Sequence, residues 1–364
     1  MSNKLKISFV IPGVFRSGGI KMVMEHASRL ASAGHDVCLY APRKRYNIYK
    51  GRFKPFYSAT IFLKNILFPL NDKFEETDKL NFEVKTVDSI NDRHMRDSDI
   101  VVATAWMTAE DVWKLGPSKG KKVYFIQGYE VWDAHPDVVG RTYSKDFTRI
   151  VVSGYLKELI LKKFGKDSVV IPNGIDFVKF NNDGKTYTDK ITLTFISSEI
   201  NIKNLDGALN VAGRIHEEYP DVNIVSFGFE PVERMPEYVK FFRSPSESEI
   251  KEIYCSTDIF LYTSLYEGFG LPPAEAMACK CAVVTNNVGA VPDYSAHLSS
   301  AYHCDPERPD GLYEGVKFFI DNKTERIRIS ENAAADVRKS LNFDRSSGMM
   351  EELFLKLAAE NNNG

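Results

Sequence analysis

The sequence predicts an α/β protein of two domains, each built on a parallel sheet, that face each other across a cleft. At 364 residues the chain exceeds the length over which a single hydrophobic core usually grows. Short β-branched runs alternate with amphipathic helical stretches, which is typical of parallel sheets. The alternation stops at the polar stretch NNDGKTYTDK and then begins again. This break predicts that the domain boundary lies in this part of the chain.

The individual elements follow from the same two periodicities. In the first half, buried runs predict strands at residues 6–11, 37–40, 100–103, 123–126 and 150–152, and helices are expected at 20–33 and 154–164. In the second half, strands are expected at 193–196, 223–227, 259–262 and 283–285, and helices begin near Asn204, Ser246 and Pro272. Two last helices are expected at 324–340 and 344–359. We therefore predict one domain at 1–170 and a second at 171–342.

Composition excludes several classes of protein. With 43% hydrophobic and 26% charged residues and a net charge of -2, the chain is neither disordered nor basic enough overall to indicate nucleic acid binding. Five scattered cysteines without a CxxC pair favour buried thiols over disulfides or a zinc site. The first apolar run, about six residues long, is too short for a signal peptide, and no run reaches the roughly 18 residues of a membrane span. We expect a cytoplasmic protein.

The strongest motif is EGFGLPPAE, from Glu267 to Glu275, directly after the predicted strand IFLYTS. Its paired prolines stand where a helix would begin, since proline is tolerated at the first helical position. A glycine-rich turn at a helix start, beyond the carboxyl end of a parallel strand, is where anions bind in open α/β sheets. Glu275 falls in the first turn of that helix, where it can bind two ribose hydroxyls. Glu267, on the loop, can reach a hexose hydroxyl.

This motif resembles the E-x7-E motif of the family 4 retaining glycosyltransferases, which have the GT-B fold of two Rossmann-like domains. Further segments are similar to family motifs in order and spacing: FVIPGVFRSGGI, VIPNGIDFVKF, IKNLDGAL and VTNNVGAVPDY. The resemblance implies that a hexose or deoxyhexose is moved, with retention, from a nucleoside diphosphate sugar to a glycan or lipid-linked acceptor in cell-surface polysaccharide or glycoconjugate synthesis. It implies no metal and no cofactor besides the sugar nucleotide. It also implies that the last helix, in 343–364, returns to the first domain.

Roles for single residues also follow from the resemblance. Lys203 and Glu267 would be the catalytic pair, in which Lys203 neutralises the diphosphate and Glu267 holds the donor sugar. A surface lysine beside a helix start is the alternative for Lys203. The remaining donor-binding residues would be Gly18, Gly19, Phe269, Gly270, Leu271 and Glu275. The two glycines would let the backbone of the first domain approach the phosphates, which a side chain would block.

Two positions depart from the family pattern. Ser198 stands five residues before the lysine, where the family commonly has an arginine, so a second phosphate cation is missing or comes from elsewhere. Gln127 occupies the position of a histidine; it can hydrogen-bond a sugar but cannot titrate. The acceptor-side candidates are Gln127, Glu130, Trp132, Asp133 and His135. The alternative for the segment after Gln127 is a packed loop with surface polar groups.

Two further segments have competing interpretations. The segment from Arg43 to Lys64 has seven basic residues, no acid and several aromatic rings. Such a composition suits peripheral contact with the inner face of an anionic membrane, but a solvated insertion loop has the same pattern. Asp97 and Asp99 match a DxD metal motif, yet they precede a strand, at the end of a parallel sheet that does not bind ligands. We therefore expect no metal site.

Rival functions differ in what they require. A nicotinamide dehydrogenase needs G-x-G-x-x-G, which the turn GVFRSGG lacks. An epimerase or phosphorylase acting on the same donors shares the fold, so the fold alone does not separate it from a transferase. A catalytically silent protein that binds sugar nucleotides or glycans is the alternative that Ser198 and Gln127 favour. The sequence does not determine the nucleotide base, the sugar, the acceptor or the oligomeric state.

Overall fold

The computed structural model describes residues 4–13, 17–43, 46, 80–131, 136–230, 232–308 and 310–362. These residues form two compact units. The first holds the residues up to Pro172 together with those from Phe343 onward, and the second runs from Asn173 to Asn342. Each unit has its own sheet, and every strand pair in both sheets is parallel. The predicted α/β class with two parallel-sheet domains is confirmed.

The described part of the first unit has a seven-stranded sheet in the order β3-β2-β1-β4-β5-β6-β7. Its strands are β1 Lys6–Val10, β2 Asp36–Pro42, β3 Glu83–Val87, β4 Ile100–Ala103, β5 Lys121–Ile126, β6 Thr148–Val151 and β7 Val169–Val170. Its helices are α1 Gly18–Ser32, α2 Trp106–Lys114, α3 Pro136–Ser144, α4 Gly154–Phe164 and α11 Phe343–Asn362. The four strands β1, β2, β4 and β5 are almost wholly buried, as parallel strands covered on both faces must be.

Helix α1 shows why the sequence forms these elements where it does. The Ser17 hydroxyl accepts a hydrogen bond from the Ile20 amide at 3.2 Å and so caps the first turn. The buried face recurs at helical spacing through Ile20, Val23, Ala27 and Leu30. Beyond the helix, Gly34 adopts φ +100°, a conformation that favours glycine and stops the helix.

The last helix, α11, packs on the first unit. Ser347 and the buried His26 of α1 are joined by a hydrogen bond of 3.0 Å between Oγ and Nδ1. The Phe354 ring lies 6.5 Å from that of Phe9 in β1. The His35 ring contacts the Glu351 carboxylate at 3.1 Å. Segment 343–362 is therefore attached to the first unit by aromatic packing and by polar contacts to buried imidazoles.

The second unit has a six-stranded sheet, among its described residues, in the order β10-β9-β8-β11-β12-β13. Its strands are β8 Thr192–Ser197, β9 Asn223–Gly228, β10 Val239–Arg243, β11 Ile259–Tyr262, β12 Ala282–Asn286 and β13 Tyr302–Cys304. Its helices are α5 Leu205–Glu218, α6 Glu247–Ser256, α7 Leu271–Ala278, α8 Val291–Tyr294, α9 Gly311–Asp321 and α10 Lys323–Ser340. The core beneath the sheet is built from buried aliphatic and aromatic side chains of strands and helices alike, such as Phe195, Ile215, Leu261 and Val316.

The strand order of the second unit creates a switch point. From β8 the chain moves outward through β9 and β10, then returns to the other side of β8 and continues through β11, β12 and β13. The loops after β8 and β11 therefore diverge from neighbouring strands at the same edge of the sheet. Ligands of open α/β sheets bind at such a point, outside the carboxyl ends of the strands.

Among the described residues, the strands that the sequence did not indicate, β3, β7, β10 and β13, are the edge strands of the two sheets. Strand β3 is partly exposed along its length, with the sequence EVKTV, and β13 has only three residues. Both lack the buried β-branched run that marks a central strand. The five cysteines are free, as expected, and four of them, Cys38, Cys279, Cys281 and Cys304, are buried.

Candidate active site

The candidate site lies at the switch point of the second unit, in the two loops 198–204 and 263–270. Hydrogen bonds hold these loops to each other. The Thr263 hydroxyl donates to the Lys203 carbonyl at 2.8 Å, and the Leu265 amide donates to the Ile202 carbonyl at 2.8 Å. The side-chain amide of the buried Asn286, at the end of β12, donates to the Thr263 carbonyl at 3.0 Å. Three neighbouring strands thus fix one loop assembly.

A short 3-10 turn, Asn201–Lys203, presents the predicted lysine. The next residue, Asn204, has φ +52° and caps α5 by accepting from the Gly207 amide at 3.1 Å. The left-handed backbone at Asn204 separates the turn from the helix, so the Lys203 side chain is not part of the face of α5. The side chain is 30% exposed, which leaves its ammonium accessible.

Lys203 and Glu267 meet at the site. The Lys203 Nζ donates to Glu267 Oε1 at 2.5 Å, and the carboxylate side chain is only 13% exposed. The Tyr262 hydroxyl, from the last residue of β11, donates to the same oxygen at 2.5 Å. Burial raises the pKa of Tyr262 well above its usual value, and the negative charge of Glu267 raises it further. The tyrosine therefore keeps its proton and acts as a donor.

The glycine-rich turn follows Glu267 and leads into α7. Gly270 has φ +91°, which favours glycine. Its carbonyl accepts from the Tyr294 hydroxyl at 2.8 Å, and the Phe269 carbonyl accepts from the Ala290 amide at 3.2 Å. These contacts turn carbonyls of the loop toward α8. Because Pro272 and Pro273 have no amide hydrogen, Leu271 is the one residue among the first three of α7 with an amide that can donate.

Glu275 lies half-buried in α7. We expected it in the first turn, but α7 begins at Leu271, before the prolines, so Glu275 stands in the second turn. Burial raises the pKa of Tyr254, and the charge of the nearby Glu275 contributes in the same direction. Seven residues of turn and helix stand between Glu267 and Glu275, so the two carboxylates have different surroundings.

Gly289 is a site residue that the sequence interpretation did not single out. It has φ +59°. A Cβ atom at this position would lie 2.8 Å from the Cβ of Glu267 and 2.9 Å from its carbonyl oxygen. Real Cβ atoms do not come that close, so only glycine lets this loop lie against the backbone of Glu267. Tyr262 was also missed, because it ends an apolar strand and reads as a core residue.

Ser198, the departure from the family pattern, supplies no charge to the site. It lies just after β8, and its hydroxyl accepts from the Ile200 amide at 3.4 Å. Lys203 is the cation that the loops 198–204 and 263–270 contribute, since neither has another lysine or an arginine.

In the first unit, the structure brings Gln127 and Gly19 together. The Gln127 Nε2 donates to the Gly19 carbonyl at 3.0 Å. Gly18 and Gly19 are the first two residues of α1. A Cβ on Gly19 would lie 3.4 Å from Gln127 Nε2, which is close van der Waals contact. The expected role of both glycines toward phosphates stays a prediction.

Glu130 has a structural contact that favours the packed-loop alternative for its side chain. Its Oε2 accepts from the Trp106 amide at the start of α2, at 2.7 Å, and lies 3.4 Å from the Tyr124 hydroxyl. Ala105, before that helix, has no side-chain acceptor, so Glu130 stabilises the helix start instead. The other acceptor-side candidates, Trp132, Asp133 and His135, lie outside the described residues.

The aspartates of the DxD match take part in structural contacts. Asp97 pairs with Lys119 at 2.9 Å, and Asp99 accepts from the Lys6 amide at 2.7 Å. Within the described ranges, no group of three His, Cys, Asp or Glu side chains is placed to hold a metal ion.

The possible membrane-contacting segment, Arg43 to Lys64, is described at two positions only. Arg43 pairs with Asp88 at 3.1 Å, and the Tyr46 hydroxyl donates to Asp111 at 2.6 Å. The rest of the segment lies outside the described residues. None of the helices that the structure describes is both long and apolar enough to cross a bilayer.

Comparisons with known proteins agree with this fold. The family model of the glycosyl transferases group 1 matches residues 176–336. A human phosphatidylinositol N-acetylglucosaminyltransferase subunit is 27% identical over 134 residues, covering 34% of this chain and 28% of that protein. The gpi3 subunit of the enzyme of that name from Schizosaccharomyces pombe is 26% identical over 206 residues, covering 53% of this chain and 44% of that protein. The matched region thus spans less than half the length of these curated relatives.

A solved structure, that of HepE from Anabaena in complex with UDP-glucose, has a TM-score of 0.74 with 13% identity and covers 97% of this chain and 100% of that chain. At this identity the likeness concerns the fold alone, the GT-B fold that the motifs implied. The family match covers nearly all of the second unit, including Lys203, Glu267 and Glu275. Residues 176–336 are thus similar to the group 1 glycosyl transferases, and this similarity lies in the second unit.

Proposed function

We propose that this chain is a retaining, metal-independent glycosyltransferase. It moves a hexose or deoxyhexose from a nucleoside diphosphate sugar to a glycan or lipid-linked acceptor, in the synthesis of cell-surface polysaccharide or glycoconjugate. The observation that carries the proposal is the contact of Lys203 with Glu267 at 2.5 Å, at the switch point and beside the turn that begins α7. One cation and one carboxylate at this place match the two ends of a sugar diphosphate.

The chemistry follows from these two charges. When the glycosidic bond of the donor breaks, negative charge develops on the departing diphosphate. The Lys203 ammonium stabilises that charge more in the transition state than in the ground state, which is the requirement for catalysis. Glu267 accepts hydrogen bonds from the donor sugar, and Glu275 accepts them from the ribose. The departing phosphate takes the proton of the acceptor hydroxyl, so no nucleophilic carboxylate is needed.

The comparisons support a nucleoside diphosphate hexose as the donor. The HepE structure of the same fold was solved with UDP-glucose, and the human and fission yeast relatives are N-acetylglucosaminyltransferase subunits by name. UDP-glucose and UDP-N-acetylglucosamine are therefore the first donors to test.

The proposal is tested by ligand binding and by the stereochemistry of the product. Thermal unfolding is measured with UDP, GDP, ADP and their glucose, mannose and N-acetylglucosamine derivatives, and each stabilising donor is then incubated with glycan and lipid-linked acceptors. We expect one nucleotide family to raise the Tm, and NMR of the product to show the anomeric configuration of the donor. EDTA should leave the rate within about twofold. An inverted product would refute retention, and loss of rate restored by magnesium would refute metal independence.

A second candidate is a protein that binds sugar nucleotides without turnover. It is favoured by Ser198, which stands where a second phosphate cation is expected, and by Gln127, which cannot titrate. Under this candidate the sugar nucleotide still raises the Tm, but neither transfer nor hydrolysis of the donor is seen. Any turnover that Lys203→Ala abolishes excludes it.

A further inference from the structure

The two donors that share Glu267 Oε1 differ in how firmly each is held. Lys203 and Tyr262 both donate to this oxygen at 2.5 Å. Within the described part of the chain, no hydrogen bond reaches the second carboxylate oxygen, Oε2. The protein thus holds one carboxylate oxygen, Oε1, whereas Oε2 can still accept hydrogen bonds from a ligand.

Tyr262 is fixed by the sheet. It is the last residue of β11, is only 4% exposed, and its ring stacks on that of Phe260 at 6.2 Å between centroids. A buried tyrosine on a central strand has no other rotamer available without disturbing the core. Its hydroxyl therefore keeps its position when the Lys203 side chain moves.

Lys203, by contrast, lies on a loop and is 30% exposed. Its ammonium has three donors on a flexible stem. An arriving diphosphate is a stronger attractor than a single carboxylate because it carries more negative charge. The lysine is thus the partner of Glu267 that substrate draws away, and without another donor the carboxylate would be free to follow it.

We propose that Tyr262 is a positioning residue, whose hydroxyl holds Glu267 Oε1 while Lys203 turns to the diphosphate, so that Oε2 stays aimed at the donor sugar. This inference rests on the proposed function, since it gives Glu267 a sugar to hold. It separates two tasks within one cluster: the lysine responds to the leaving group, and the tyrosine keeps the sugar-binding carboxylate still.

The test is a double-mutant cycle of Tyr262→Phe and Glu267→Gln. For each variant we would measure kcat/KM for the donor, the Kd of the free nucleoside diphosphate, and the urea midpoint of unfolding. Tyr262→Phe should lower kcat/KM about tenfold, as expected for loss of one hydrogen bond to a charged group. It should leave the Kd of the nucleoside diphosphate within about twofold. In the Glu267→Gln background, the same substitution should lower kcat/KM by less than about twofold. A merely structural tyrosine would lower activity to the same extent in both backgrounds.

Tyr187→Phe is the matched control. Tyr187 also donates to a carboxylate, that of Glu331 at 2.9 Å, but it lies before β8, away from the carboxyl edge of the sheet. This variant should shift the urea midpoint without changing kcat/KM beyond about twofold. If Tyr262→Phe does not fold, Tyr262→Met replaces it, since methionine adapts to irregular core positions and also removes the hydroxyl donor; it should show the same tenfold loss.

The outcomes separate the two proposals. Unchanged kcat/KM in Tyr262→Phe, an equal loss in both backgrounds, or equal weakening of the free nucleotide each overturns the role of Tyr262. If the wild-type protein turns over no donor, the proposed function fails. The unfolding midpoints then still decide whether the hydroxyl and the carboxylate act on each other: non-additive shifts support the contact, and additive shifts refute it.

Discussion

The carboxyl edges of the two sheets carry different chemistry. In the described part of the first unit, the Gln127 amide contacts the Gly19 carbonyl, and the Glu130 carboxylate accepts from the Trp106 amide. In the second unit, the corresponding edge holds an ion pair, Lys203 with Glu267, together with a buried tyrosine donor. A cationic side chain binds anions through charge-assisted hydrogen bonds, whereas neutral amides and backbone groups hydrogen-bond to uncharged hydroxyls. Under the proposed function, we expect affinity for the nucleotide to reside in the second unit.

The largest expected effect is that of Lys203→Ala. Because this lysine is the cation that the two loops contribute, its removal should cost on the order of 3 kcal/mol in kcat/KM. The measurement is steady-state kinetics with the best donor. Lys317→Ala is a suitable control, since Lys317 pairs with Glu218 on the surface of the same unit at 2.7 Å. A loss below about threefold in Lys203→Ala would remove the lysine from the site and with it the contrast between the units.

The next effect is on stability and concerns the first unit. Burial, and then the charge of Arg29, lower the pKa of His26 to about 4. The imidazole thus stays neutral in the folded protein at pH 5, while in the unfolded chain it is protonated below about 6.5. The stability that depends on a neutral His26 is fully present above pH 6.5 and is lost as the pH falls toward 4, by about 2 kcal/mol between pH 7 and 5.

His26→Gln checks this linkage. Urea unfolding of α1 and α11 at pH 7 and pH 5 should show a smaller acid-induced loss in the variant than in the wild type, by roughly the 2 kcal/mol assigned to the imidazole. Equal pH dependence of the two proteins would mean that His26 is not neutral and buried in solution. The site loops of the second unit should respond little to this substitution.

The smallest of the three effects compares the two carboxylates of the motif. Glu275→Gln should weaken the binding of the free nucleoside diphosphate and of the sugar donor alike, by about tenfold each, because both ligands contain the ribose. Glu267→Gln should weaken the sugar donor and spare the free nucleotide. Isothermal titration with both ligands measures the two ratios. If both variants lose affinity for the free nucleotide to the same extent, the two carboxylates do not bind separate parts of the donor.

The sequence was most informative where a local residue pattern has one structural interpretation. The buried runs of β1, β8 and β11 predicted central strands, and the polar break after residue 180 predicted a second α/β unit. Lys203 and Glu267 were predicted as site residues through motifs, and their contact needed the fold, because they are 64 positions apart in the sequence. Tyr262 could not be recognised, since a tyrosine at the end of an apolar strand looks the same whether it packs or donates. Gly289 needed coordinates, because close approach of two loops leaves no local pattern.

The interlocked loops have a thermodynamic consequence. Because the Thr263 hydroxyl and the Leu265 amide already hold the turn that carries Lys203, the backbone of these loops is preorganised before a nucleotide arrives, and only the Lys203 side chain has to turn. Little conformational entropy of these loops remains to be lost on binding. We therefore expect a nucleoside diphosphate to bind to the second unit without a disorder-to-order transition of these loops.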